Sequence, residues 1–165
     1  MTAAAWVPAP TEHENPAVAR VCSIVICDDQ PELREAITQI LVRNPRFTVV
    51  GEAHDGVSCL EQVRQTRPDL LVLDVNMPGG GPHVATAAKA IRSELHIVVF
   101  SGRQDNATTT AMLDAGADQY VLKTGRVRPL LQALETAYRH LANDENSFRR
   151  DGGVSAANAD GRGHS

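Results

Sequence analysis

The chain has 165 residues, a length suited to one domain with a proper hydrophobic core. Apolar residues make up 42% and charged residues 22%, globular values, while aromatics are only 4%, so the core rests on Val, Ile, Leu and Ala. With 16 basic against 20 acidic side chains, a formal charge of −4 and no basic stripe, the composition argues against nucleic-acid binding by this chain alone.

Residues 1–20 are rich in Ala, Pro, Thr and Glu without a period, which reads as a flexible arm. No Lys or Arg precedes Arg20, and Pro8 and Pro10 interrupt the apolar residues around Trp6, so a secretory signal is not expected. Apolar runs elsewhere fall far short of a membrane span, and a cytoplasmic protein is the expectation.

The first strand is expected over Val21–Cys27 and the first helix over Pro31–Arg43, with Leu33, Ile37, Ile40 and Leu41 on one side. A second strand follows at Phe47–Ala53. A helix opening near Asp55–Gly56 carries Val57, Leu60 and Val63. The third strand is Leu70–Asp74, and the third helix covers Pro82–Arg92. The fourth pair is His96–Ser101 and Asn106–Ala115, and the fifth is Gln119–Lys123 and Pro129–Leu141. The runs SIVIC, DLLVLD and HIVVF are continuously apolar, the pattern of strands covered on both faces. Residues 143–165 are polar and read as a second disordered tail, leaving an ordered domain at 21–142.

Cys22, Cys27 and Cys59 form no C-x-x-C pair and read as core residues of a reducing compartment. The six histidines share no metal-ligand spacing.

Five strands alternating with five helices predict an α/β fold: a five-stranded parallel sheet, doubly wound, with helices on both faces. Right-handed crossovers place all strand C-termini along one edge, where such folds hold their ligands. Asp28 and Asp29 follow the first strand, Asp74 ends the third, Ser101 the fourth and Lys123 the fifth. Two unit charges ~5 Å apart at an effective dielectric of ~20 repel by about 3 kcal/mol, so three carboxylates with one lysine call for a compensating cation. A hard divalent ion with oxygen ligands, most naturally Mg²⁺, meets that need. Taken singly, each residue has a plainer reading. Asp29 with Glu32 can form a capping box, Asp74 can be a turn residue before Pro78, Ser101–Gly102 is a common loop pair, and Lys123 can be a solvated lysine. Their coincidence at one edge is what points to a site.

The segments CDDQPELR, EAHDG, LLVLDVNMPG, the Ser101–Gly102 pair and GADQYVLK occur in an order and spacing that resembles the receiver domain of bacterial two-component response regulators. The resemblance covers residues 21–142 and is closest to NarL-type receivers through MPGGGP and AGADQYVLKTG. It implies the CheY-like, flavodoxin-like (βα)5 fold. It also implies that Asp74 is the phospho-acceptor, nucleophilic towards phosphohistidine on a sensor histidine kinase or phosphotransfer protein. By the same resemblance Asp29 and Asp74 bind Mg²⁺ directly, Asp28 through water and Asn76 through its backbone carbonyl. Lys123 and the metal neutralise the transferring phosphoryl group, Ser101 donates a hydrogen bond to it, and Tyr120 is the aromatic switch residue.

Several features depart from the family pattern. Thr124 replaces the proline common after the lysine, so a trans peptide is expected there. Gly79, Gly80 and Gly81 predict a mobile loop, and Thr108, Thr109 and Thr110 weaken the fourth helix. That helix, with the fifth strand and fifth helix, is the expected switching surface, contacting a downstream protein target or forming a homodimer. Arg103, two residues past Ser101, is placed to reach the phosphoryl group. The 24 residues from Ala142 to Ser165 lack the apolar pattern and basic face of a helix-turn-helix. The expectation is therefore a single-domain response regulator, a phosphorylation-driven binding module that catalyses only its own phosphorylation and dephosphorylation. The alternative is a NarL-like transcriptional regulator lacking its DNA-binding half and acting by pairing with other regulators. An aspartyl-phosphate phosphohydrolase would want a second acid where Asn76 stands. A flavin-binding domain would want a hydroxyl-rich loop where DDQPEL stands, so no cofactor besides Mg²⁺ is expected.

Overall fold

Five parallel strands form one sheet in the order β2-β1-β3-β4-β5, the elements being β1 (Cys22–Cys27), β2 (Phe47–Ala53), β3 (Leu70–Leu73), β4 (His96–Ser101) and β5 (Gln119–Leu122). The computed structural model behind this description covers residues 20–151, with side chains described through Asp144. The three continuously apolar runs are the three central strands β1, β3 and β4, almost wholly buried. The edge strands differ: β2 alternates between buried and exposed positions, and β5 is half-buried throughout. A strand with neighbours on both sides and helices on both faces has no polar side to show, and its sequence says so.

The helices are α1 (Pro31–Leu41), α2 (Gly56–Thr66), α3 (Pro82–Ile91), α4 (Asn106–Asp114) and α5 (Arg128–Asp151). Because side chains alternate along a strand, each central strand feeds two cores. Ile24, Ile26, Leu70, Val72, Val98 and Phe100 pack with Ile37 and Leu41 of α1 and Leu130 and Leu134 of α5. Val25, Cys27, Leu71, Leu73, Ile97 and Val99 face α2, α3 and α4 on the other side. Each fully buried Leu or Ile here contributes about 1.5–3 kcal/mol relative to exposure. The three cysteines are buried free thiols, and burial first, then Cys59, pushes the Cys27 thiol well above its ordinary value.

Several local expectations change. Ile40 and Val57 are 38% and 82% exposed. The buried stripe of α2 is Gly56, Cys59 and Val63, which leaves Val57 on the opposite side, and Ile40 lies at the margin of the Ile37–Leu41 stripe. Arg20, read as part of the arm, is tied to Asp69 by a 2.8 Å ion pair, and residues 1–19 lie outside the described residues. Residues 143–151, read as the start of the tail, continue α5 as helix. That stretch holds no glycine or proline before Gly152, so the backbone bonds of the packed part propagate. The rest of the tail, 152–165, is outside the described residues. The glycine run is a tied turn. Gly79 takes φ 66°, Gly80 N–H donates to the Met77 carbonyl at 2.8 Å, and Gly56 N–H to Pro78 O at 2.9 Å. A side chain on Gly56 would run into the Gly79 carbonyl oxygen, so a Cβ here forces that turn to shift. The Lys123–Thr124 peptide is trans. Among the described residues no helix is long and apolar enough to cross a membrane.

Candidate functional site

The winding direction reverses between β1 and β3, and the strand-end residues gather at that point. The ladder continues one step beyond the strands and fixes them there. Asp28 N–H donates to Ala53 O at 3.0 Å, Asp74 N–H to Cys27 O at 2.9 Å, and Lys123 N–H to Ser101 O at 2.9 Å. Asp28 and Asp74 are each only 2% exposed and Ser101 is fully buried, whereas Asp29 is exposed.

One carboxylate oxygen from each of Asp28, Asp29 and Asp74 lies within 4.8 Å of the others. The Lys123 ammonium bridges two of them, with Nζ 2.6 Å from Asp28 Oδ2 and 3.1 Å from Asp74 Oδ2. Asp28 Oδ1 accepts the Gln30 N–H at 2.9 Å and Asp74 Oδ1 accepts the Asn76 N–H at 3.0 Å. Burial raises the Asp74 carboxyl above its ordinary range, against the pull of the Asn76 N–H and Lys123. For Lys123, burial pulls downward, but its hydrogen bonds and charge contacts with Asp28 and Asp74 win and hold it above its ordinary value. Three carboxylates against one ammonium leave two negative charges uncompensated. The donors are all hard oxygens, a set that fits a hard divalent cation such as Mg²⁺.

The capping-box reading of Asp29 does not hold. Gln30 is the N-cap of α1, no side chain caps it, and Pro31 occupies the first turn. The aspartate capping box belongs to α2, where Asp55 and Ser58 satisfy each other.

Ser101 Oγ accepts from Asn76 Nδ2 and from the Arg103 N–H, both at 3.3 Å. The Tyr120 hydroxyl donates to the Arg103 carbonyl at 3.0 Å. The Arg103 side chain turns to Asp105, 3.2 Å away. Three contributions were not legible in the sequence: the Asn76 side chain on Ser101, the Phe100 ring 5.7 Å under the Lys123 ammonium, and Arg34, whose Nη1 donates to Asp28 O at 2.6 Å. Each depends on a contact across elements that no local pattern encodes.

A doubly wound parallel sheet carrying an acidic cluster, a lysine and a hydroxyl at its switch point defines a flavodoxin-like signalling-domain architecture. The family model of the response regulator receiver domain matches residues 24–135, and the chain belongs to that family. It is 37% identical over 116 residues to the nitrate/nitrite response regulator protein NarL of Escherichia coli (strain K12), covering 70% of this chain and 54% of that protein. The receiver domain of the putative response regulator NarL from Mycobacterium tuberculosis superposes with a TM-score of 0.68 at 29% identity, covering 73% of this chain and 98% of that one. The isolated receiver domain of RcsB from Salmonella enterica serovar Typhimurium, solved in the presence of phosphomimetic BeF3⁻, gives 0.65 at 27% identity, with 70% and 87% covered. The chain spans about half the length of the curated relatives it matches. Receiver domains belong to two-component systems, working with histidine kinases and downstream targets, and generally bind Mg²⁺ at an acidic pocket.

Proposed function

We propose that Asp74 accepts a phosphoryl group from phosphohistidine on a sensor histidine kinase or phosphotransfer protein, in a Mg²⁺-dependent reaction that switches protein–protein contact. The observation that carries this reading is the acidic cluster, three carboxylate oxygens within 4.8 Å, with Lys123 bridging Asp28 and Asp74. A carboxylate oxygen of Asp74 attacks phosphorus, the phosphorus–imidazole bond breaks, and the imidazole leaves with the electron pair and takes up a proton. Asp28, Asp29, Asp74 and the Asn76 carbonyl would hold Mg²⁺, which when bound would supply charge neutralisation for the phosphoryl oxygens. Lys123 exchanges its contact with Asp74 for a phosphoryl oxygen. Ser101 already accepts two N–H groups, and its own proton is available to donate to the new anion.

Arg103 offers a route outward, because its N–H meets Ser101 and its carbonyl meets Tyr120. A shift of Ser101 towards the phosphoryl group moves the backbone that holds the tyrosine. Helix α4, with Met112 as its one buried residue, is lightly anchored and suits the moving part. An open groove of about 500 Å³ between β5 and α5, lined by Tyr120, Leu122, Pro129, Gln132 and Ala133, suits contact with a downstream protein or a second copy. The protein is read as a cytoplasmic signalling switch whose only chemistry is on itself.

Incubation with acetyl phosphate and Mg²⁺, followed by intact-mass measurement beside Asp74→Ala, tests the central claim. The wild type is expected to gain one acid-labile phosphoryl group and the variant none. No gain by the wild type, or equal gain by the variant, overturns it.

A further inference from the structure

The geometry points to Arg34 as the positioning residue of the Asp28–Asp29 turn: through the Asp28 carbonyl it sets the direction in which both metal carboxylates are presented. The inference rests on the metal-site reading above. Arg34 lies in the first turns of α1, and its side chain is 17% exposed. Its Nη1 donates to the Asp28 carbonyl at 2.6 Å, a short charge-assisted bond, while its Nε pairs with Glu52 Oε2 of β2 at 3.3 Å. Glu52 Oε1 is held in turn by Thr38 Oγ1 at 2.9 Å. One guanidinium thus ties the β1–α1 turn to the adjoining strand β2 through a carboxylate that is itself anchored to α1.

Two features make this bond consequential. A side-chain cap would ordinarily fix the chain entering a helix, but α1 has none, and Asp29 is left exposed. The turn is then held by the Gln30 N–H on Asp28 Oδ1, by Lys123 on Asp28 Oδ2 and by Arg34 on Asp28 O, the last a side-chain bond to the backbone of the turn. The Asp28 carbonyl also belongs to the rigid peptide plane joining Asp28 to Asp29, so orienting that oxygen orients the N–Cα bond of Asp29, at whose end the side chain branches. The Arg34 charge is matched by Glu52, so the arginine holds the carbonyl without presenting an unbalanced cation to the metal site. Lysine, with a point charge and no planar fork, could retain the carbonyl bond but not both contacts in the same geometry.

The test is titration with MgCl2 by calorimetry on the metal-free full chain, for wild type, Arg34→Ala, Arg34→Lys and Glu52→Gln, with thermal melts of each. Loss of an outer partner of a metal site typically weakens binding 10–100-fold, so Arg34→Ala is expected to raise the Mg²⁺ Kd about 10-fold. The Mg²⁺ concentration for half-maximal phosphorylation by acetyl phosphate should rise in parallel, with the rate at saturating Mg²⁺ little changed. Arg34→Lys should recover part of the affinity, and Glu52→Gln, which spares the carbonyl bond, should change it less than Arg34→Ala does. In the metal-free protein the Gln30 amide should exchange faster in Arg34→Ala, a readout that general loss of stability does not confine to this turn.

If Arg34→Ala binds Mg²⁺ as tightly as the wild type or more tightly, Arg34 is only a tie between α1 and β2 and the inference falls. Should Arg34→Ala fail to fold, Arg34→Met, which keeps an apolar stem but cannot donate to the Asp28 carbonyl, decides: a folded methionine variant with several-fold weaker Mg²⁺ binding supports the role, and unchanged affinity overturns it. A wild type that binds no Mg²⁺ overturns the metal-site reading and, with it, this one. Normal wild-type binding beside an unaltered variant overturns only the role of Arg34.

Discussion

Replacing Asp74 with Asn should stabilise the protein when divalent cations are removed. In the metal-free site the Asp74 carboxylate meets one favourable charge, Lys123 Nζ at 3.1 Å, and two unfavourable ones, Asp28 and Asp29, with oxygens within 4.8 Å. At an effective dielectric of ~20 the attraction is about 5 kcal/mol and the two repulsions together about 7 kcal/mol. The net is roughly 2 kcal/mol against folding, before adding the cost of burying the carboxylate, and that burial is what raises the Asp74 carboxyl against the pull of the Asn76 N–H and Lys123. Asparagine keeps an oxygen for the Asn76 N–H and leaves Lys123 its 2.6 Å bond to Asp28. Urea unfolding in EDTA at neutral pH should therefore show Asp74→Asn with a midpoint higher by about 1 M, for a slope near 1.5–2 kcal/mol/M. Because the folded state holds the Asp74 proton to higher pH than the unfolded chain does, wild-type stability falls as pH rises from the ordinary to the elevated value. The advantage of the variant should grow across that window and vanish below it, where wild-type Asp74 is protonated in both states. Added Mg²⁺ should stabilise the wild type by about 2.7 kcal/mol at 100 times its Kd, enough to reverse the order. A variant less stable than wild type in EDTA, or a gap unmoved by Mg²⁺, would refute the charge account.

Lys123→Ala should destabilise the metal-free protein by about 2–4 kcal/mol, because it leaves Asp28 and Asp74 buried without their shared cation; Mg²⁺ should restore part of the loss, both read from urea unfolding. The Lys123 contribution should be fully present below the ordinary lysine value and lost as pH rises through its elevated folded value, a trend absent from the alanine variant. Met112→Ala, removing the one buried side chain of α4, should cost about 2–4 kcal/mol and speed amide exchange in α4 more than in β1, β3 or β4; uniform acceleration would contradict a lightly anchored helix. Gly56→Ala should cost about 2–3 kcal/mol in urea, since the new methyl meets the Gly79 carbonyl and the turn before α3 must move; a neutral result would show that turn to be slack.

Much of the molecule was legible in one dimension. Continuous apolar runs marked β1, β3 and β4 as central strands because burial on both faces leaves no place for a polar side chain. Alternation of strands and helices fixed the parallel winding, and winding placed Asp28, Asp29, Asp74, Ser101 and Lys123 along one edge. Helix faces were less legible. Four-residue spacing admits neighbouring stripes, and the stripes that pack, Ile37 and Leu41 in α1 and Gly56, Cys59 and Val63 in α2, leave Ile40 and Val57 exposed. Helix α5 runs to Asp151 because a polar run can remain helical when a packed helix precedes it and nothing breaks it.

What the sequence determined by itself was which chemical groups stand at which strand ends, since periodicity and chain direction are properties of consecutive residues. Tertiary structure decided how those groups are held. Lys123 bridges two carboxylates, Asn76 reaches Ser101, Tyr120 binds the Arg103 carbonyl, and Arg34 grips Asp28 from α1. These contacts join residues from separate elements, and their distances follow from sheet order, register and side-chain rotamers that are fixed only when the elements pack together.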